Sequence, residues 1–319
     1  MLNIFLRKLG MLLLSTLVLL LLSFWFYIRA NGLGEQNLYL QFMIYLERIL
    51  RLNFGYSSQS SELVMNEFLT CIEASAELIL IAMIFAIYVG FKLGCYAALH
   101  KDKLTDTAIT NASIFCSSIP VFWIAQLLIS SVAVHFDIIP SSGRISLLYN
   151  IQPVTGFILI DTLLYSDIMG FDPFFNALSH FILPAITLAL LPTTEIIRIV
   201  RNSLYGVMQQ NYIKIAFSRG WSASKIISKH GVKNAFPAII TQANSVIFLT
   251  FTSMVIIENI FNWPGVGYWI VEAFRNRDIN VINAYLVLVG MMFIIINILI
   301  DFMSEVSILF REKRSRNYA

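Results

Sequence analysis

Apolar residues along the 319-residue chain come in long blocks rather than short amphipathic periods. A helix needs about 20 mostly apolar residues to cross bilayer hydrocarbon. Six stretches have that character, near residues 9–28, 77–99, 112–136, 178–198, 238–258 and 284–303. They predict an all-α integral membrane protein with six transmembrane helices. Arg7 and Lys8 ahead of the first stretch have a signal-peptide flavour, but its apolar run is long and Ile28-Arg29-Ala30 is a poor cleavage site, so we expect a retained anchor.

The segments between the spans carry patterns of their own. Within residues 29–76, Leu38, Phe42, Tyr45, Leu46, Ile49 and Leu52 recur at intervals of three and four, one stripe of a helix that either lies on the membrane surface or packs on the protein's outer face. Residues 137–177 form a second long connection. Between the fourth and fifth spans, 202–236 reads as two short helices meeting at a corner. Ile213, Ala216 and Phe217 share a face of the first, Gly220 suits the left-handed residue that ends it, and Ser222 suits an N-cap. In the second, Ala223, Ile226, Ile227 and His230 share one face and Lys225, Lys229 and Lys233 another. Such a corner fits a grip for a force-transmitting partner, and equally an amphipathic loop whose lysines rest on anionic membrane lipid.

Charge gives these segments a direction. With the N-terminus inside, 16 of the 22 Lys and Arg fall on the inner side, Arg7, Lys8, Lys92, Arg311, Lys313, Arg314 and Arg316 among them. Arg29, Arg48, Arg51, Arg144, Arg275 and Arg277 fall outside with 13 of the 19 acids, from Glu35 to Asp278. The balance is +10 inside and −7 outside, which sets an N-in, C-in topology. Trp25, Tyr27, Trp263 and Trp269 then stand at outer ends, where an aromatic belt is expected. Composition agrees: 58% apolar and 13% charged residues leave too little charge for a nucleic-acid-binding or disordered chain. Cys71, Cys95 and Cys116 lack ligand spacing, His100, His135, His180 and His230 are scattered, and no metal site is expected. The chain contains no Gly-x-x-x-x-Gly-Lys-Ser/Thr loop, so it cannot cradle and hydrolyse ATP itself. The charged relays of a secondary transporter are missing from the spans.

Tyr212-Ile213-Lys214-Ile215-Ala216-Phe217-Ser218-Arg219-Gly220, nine residues, His230, then Asn234-Ala235-Phe236-Pro237 resembles the EAA loop of bacterial ABC-importer permeases, in the version of the dipeptide, oligopeptide and nickel branch. Ile215, Trp221 and the adjacent Phe236-Pro237 depart from its usual form. Other elements resemble the branch in chain order: Leu52 to Ser57, Ser118 to Trp123, Pro140 to Arg144, Ile260 to Gly267 and Asn297 to Asp301. Leu147 to Asp161 and Pro192 to Arg198 are similar to the Sap subgroup of peptide permeases.

The resemblance implies the type I (MetI-like) importer fold and three regions: 1–76, the first helix and a periplasmic segment; 77–303, the permease core; and 304–319, a basic cytoplasmic tail. It implies one half of a path for peptides, cationic antimicrobial peptides included, in a bacterial inner membrane. The implied partners are a second homologous permease, two cytoplasmic ATPase subunits holding ATP and Mg, and a periplasmic solute-binding protein. Tyr212, Lys214, Ala216, Arg219, Gly220, Trp221, His230, Asn234 and Pro237 would then couple to the ATPases. Gln126, Ser130, Thr241, Ser245, Phe248 and Thr252 are candidate path-lining residues, although hydroxyls at such spacings also serve helix packing. Glu258 would meet a cationic substrate or face water. A permease for polyamine, haem or dipeptide, or a non-transporting membrane assembly protein, remains as an alternative.

Overall fold

A computed structural model describes residues 2–31, 37–135 and 139–316, without the side chains of 2–7, 31 and 310–316. Glu35 and the side chains of Arg7, Arg311, Lys313, Arg314 and Arg316 therefore lie outside the described residues. Helices dominate: α1 (Leu2–Asn31), α2 (Leu38–Leu50), α3 (Val64–Leu99), α4 (Leu104–Ser118), α5 (Val121–Leu128), α6 (Ile158–Leu164), α7 (Ser166–Met169), α8 (Asp172–Met208), α9 (Asn211–Ser218), α10 (Ala223–Ile226), α11 (Val232–Ile240), α12 (Ala243–Ile260), α13 (Val266–Asn276) and α14 (Ile279–Arg316).

Among the described residues five helices, not the expected six, are each long and apolar enough to cross a bilayer: α1, α3, α8, α12 and α14. The expected third span, 112–136, is a broken pair in which α4 and the segment Val121–Ala133 meet at 92°. Pro120 causes the break. Its ring disfavours helical geometry at the residue before it, and Ile119 is extended at φ −86°, ψ 130°. α14 runs past residue 303 without interruption.

The centre of the bundle is α3 against α8. Ala74, Ala82, Ala86, Gly90, Gly94 and Ala98 recur along one buried stripe of α3. A Cβ on Gly90 would stand 2.8 Å from Ile196, and one on Gly94 2.8 Å from Val200, so the two backbones approach to a distance only glycine permits. α8 keeps its helical path through the buried Pro184 and Pro192. α2 packs on the ends of α1 and α14, as one of the two readings of its stripe anticipates: Tyr45 is buried beside Phe24 and Tyr27, and its hydroxyl donates to Asn283 Oδ1 at 3.0 Å.

Candidate functional site

At one end of the bundle the chain leaves α8, turns at the extended Gln210 and enters α9. Gly220 closes that helix at φ +76°: its N–H donates to the Phe217 carbonyl at 2.9 Å and the Trp221 N–H to the Ala216 carbonyl at 3.2 Å. These paired bonds satisfy carbonyls that a helix end leaves free, and the left-handed residue they require is the reason for glycine here. The Ser222 hydroxyl then caps α10 by accepting from the Lys225 N–H. A wide turn, Ile227–Gly231, joins α10 to α11, so the second arm of the corner is one continuous rod reaching Ile240.

Ile213, Ile226 and Ile227 are buried and pin both arms to the bundle. Phe217, expected on that face, is exposed instead, because the helix turns its Ile213 edge inward. Trp221 is half-buried, its ring 5.6 Å from that of His230, with Lys225 Nζ and Lys229 Nζ each 4.9 Å from its centre. Asn234 Nδ2 donates to the Tyr212 hydroxyl at 2.8 Å and ties the arms together across the corner. Lys214, Arg219, Lys225, Lys229 and Lys233 are all exposed, whereas Pro237 is buried within α11. Ala216 is half-buried. Behind the corner, a cleft of about 420 Å³ between the last turns of α8 and the rod is lined by uncharged polar groups including Asn202, Ser203, Gln210, Asn234 and Gln242.

The candidate path residues are divided. The expected fifth span, 238–258, is interrupted by a turn at Thr241 and Gln242: Thr241 is exposed at the end of α11, Phe248 and Thr252 are exposed one turn apart on α12, and Gln126 and Ser130 are exposed on the α5 segment, which packs against α12. Ser245 is held inside the protomer, donating to Glu195 Oε1 at 2.7 Å. The Thr241, Thr252 and Ser130 hydroxyls bond to carbonyls of their own helices.

The opposite end holds polar groups that the sequence alone left unpaired. Glu258, expected to meet substrate or water, is fully buried. It accepts from Ser75 Oγ at 2.6 Å and from the N–H groups of Gly267 and Tyr268 at 2.7 and 3.2 Å, thereby capping α13. Trp263 Nε1 donates to the Ala74 carbonyl at 3.0 Å in the same joint. Glu77 accepts from the first N–H groups of α6, Ile158 and Leu159, and pairs with Arg144 at 2.5 Å. Near the Gly220 end, Asp106 and Arg201 form a two-pronged pair at 2.5 and 2.7 Å between α4 and α8. Asp278 receives Ser57 Oγ, Ser58 N–H and Val281 N–H at 2.8, 2.6 and 3.2 Å. Burial opposes its charge, yet those three donors prevail and hold its carboxyl below the usual range. Single carboxylates at the edges of apolar runs are the trace these joints leave in the sequence, but their partners lie up to 221 residues away.

Membrane-length helices bundled around a small-residue seam, with a cation-rich corner at one end, make this a multi-pass integral membrane protein. Residues 90–308 match the family described as binding-protein-dependent transport system inner membrane component, and the chain belongs to that family. It is thus an ABC-type transport permease and an integral inner-membrane protein, not an ATPase. Among curated relatives, the di/tripeptide transport system permease protein DppB of Pseudomonas aeruginosa is 36% identical, over 84% of this chain and 79% of its own. The peptide transport system permease protein SapB of Salmonella typhimurium is 33% identical over 85% and 84%. The putrescine export system permease protein SapB of Escherichia coli K12 is 34% identical over the same shares.

Proposed function

We propose that the chain is one permease half of a peptide importer of the type I (MetI-like) kind, oriented N-in and C-in, with the Gly220 corner in the cytoplasm. In this reading 1–76 supplies the first helix and periplasmic segment, 77–303 the core and 304–319 the basic tail. A sister permease covers the exposed Thr241, Phe248 and Thr252 side and completes the path. Two ATPase subunits holding ATP and Mg dock at the corner, and a binding protein delivers solute at the Trp263 end. The observation that carries the reading is the corner itself: two arms bridged by Tyr212 and Asn234, fixed to the bundle through buried isoleucines, and presenting five exposed cations, two of them over the Trp221 ring. A rigid lever of this form passes motion to helices more directly than a loop resting on lipid.

Relatives of the Dpp and Sap kinds match at similar identity. The Sap reading, with cationic antimicrobial peptides among the substrates, therefore rests on the 147–161 insertion and on 192–198. The Sap relative named for putrescine export makes putrescine the specific second reading. Vesicles containing the complete transporter and its binding protein, supplied with ATP, should accumulate radiolabelled peptide and leave putrescine unmoved. ATP-dependent putrescine flux without peptide flux would replace the peptide reading with the polyamine one.

A further inference from the structure

We propose that α2 is a lipid-binding helix, lying in the headgroup layer at the Trp25 end of α1 with its free apolar face against the upper acyl carbons. This placement is independent of the solute; it rests on α1 crossing the bilayer and, for its charge balance, on the N-in orientation proposed above. Leu13, Leu14 and Leu22 on α1 are each about three-fifths exposed, as a lipid-facing helix requires. Where that apolar run stops, Trp25 is exposed and the Arg29 guanidinium lies 5.9 Å from its ring centre, the aromatic and cation pair suited to the headgroup level.

α2 is fastened at this same level. Phe42 packs on Phe24 with ring centres 5.0 Å apart, Tyr45 on Phe24 and Tyr27 at 5.4 and 5.2 Å, and Arg48 Nη1 donates to the Tyr27 hydroxyl at 2.7 Å. Those contacts also set the helix's rotation. With Tyr45 inward, Leu40, Met43 and Ile44 stand outward at helical spacing, flanked by Tyr39 and Leu50, all exposed. In water they would make a contiguous apolar patch without cover; at the membrane interface the same face is solvated by acyl chains.

Charge favours lipid as the occupant. The sequence's outer side is net acidic, yet Arg29, Arg48 and Arg51, half of its six basic residues, gather on α1 and α2. Glu47, one turn beyond Met43 and Ile44 on the same outward side, pairs with Arg51 at 2.7 Å, so the C-terminal half of that side is charged and can reach a phosphate layer.

The test uses the complete transporter in phosphatidylethanolamine and phosphatidylglycerol vesicles, with Cys71, Cys95 and Cys116 replaced by serine. Nitroxide labels are attached to Met43→Cys, Ile44→Cys and, as a water-facing control, Gln59→Cys; Leu40→Cys replaces either test site if that variant fails to assemble. Collisions with lipid-soluble oxygen and with the water-soluble nickel chelate NiEDDA are then compared. We expect oxygen collisions to exceed those of the chelate several-fold at 43 and 44, with the reverse at 59. Chelate-dominated collisions at 43 and 44 would place the face in water and overturn the proposal. Suppression of both reagents there would show a protein partner covering it and overturn it equally.

Discussion

Glu258 shows how one carboxylate organises the Trp263 end. Its oxygens take Ser75 Oγ and the first N–H groups of α13, so truncation to alanine leaves three donors buried without partners. Each such loss costs about 1–3 kcal/mol. Glu258→Ala should therefore lower the thermal midpoint of the detergent-solubilised protein well beyond Ser75→Ala, and an equal small shift for both would contradict the capping role. Asp278 makes a pH-dependent joint between the 54–58 segment and the start of α14. Its carboxyl titrates below the usual value of about 3.9, so its contribution is fully present above that value and is lost as pH falls through the lower, folded-state value. Hydrogen exchange at residues 54–58 should be steady from pH 7 to 5 after correction for intrinsic rates. Asp278→Asn should raise it at neutral pH, and no change in the variant would remove Asp278 from the joint.

Among the elements, the α3 and α8 contact is the most extensive seam between described helices. A side chain at Gly94 meets Val200 Cβ at 2.8 Å and the Ile197 carbonyl at 3.0 Å, so Gly94→Ala forces the backbones apart at a cost of about 1–3 kcal/mol. Differential scanning fluorimetry should show destabilisation by Gly94→Ala but none by Gly206→Ala, since a Cβ at Gly206 meets nothing within 4 Å. Five membrane-length elements were legible from hydropathy alone because burial in lipid is a property of composition. The bend at Pro120 was not, because hydropathy averaged over a span-length window bridges it while the restraint on Ile119 is conformational. The corner was legible for the opposite reason. Gly220 and Ser222 carry local backbone requirements that a sequence displays directly, whereas the inward edge of α9, and with it the exposure of Phe217, is set by tertiary packing.

At the scale of the molecule, a corner with five exposed cations lies at one end and interlocked acidic joints at the other, with small-residue packing between them. The sequence's charge asymmetry foretold the contrast between the ends, but not that Glu77 and Glu258 would be consumed in joints rather than offered to solute. In the proposed function the corner is the point where ATP-driven motion enters the bundle. Gly220 has room for a side chain but a backbone that L-residues avoid, so Val there costs about 1–2 kcal/mol while Asn, which tolerates left-handed geometry, costs less. The decisive measurement is solute transported per ATP hydrolysed by the complete transporter in vesicles, with retention of the ATPases checked by co-purification. Gly220→Val should lower that ratio about 5–30-fold with the ATPases still bound, the population shift that such a cost produces, and Gly220→Asn should stay near the unmodified protein. An unchanged ratio in Gly220→Val, with the ATPases bound, would contradict the assignment of the corner as the coupling element.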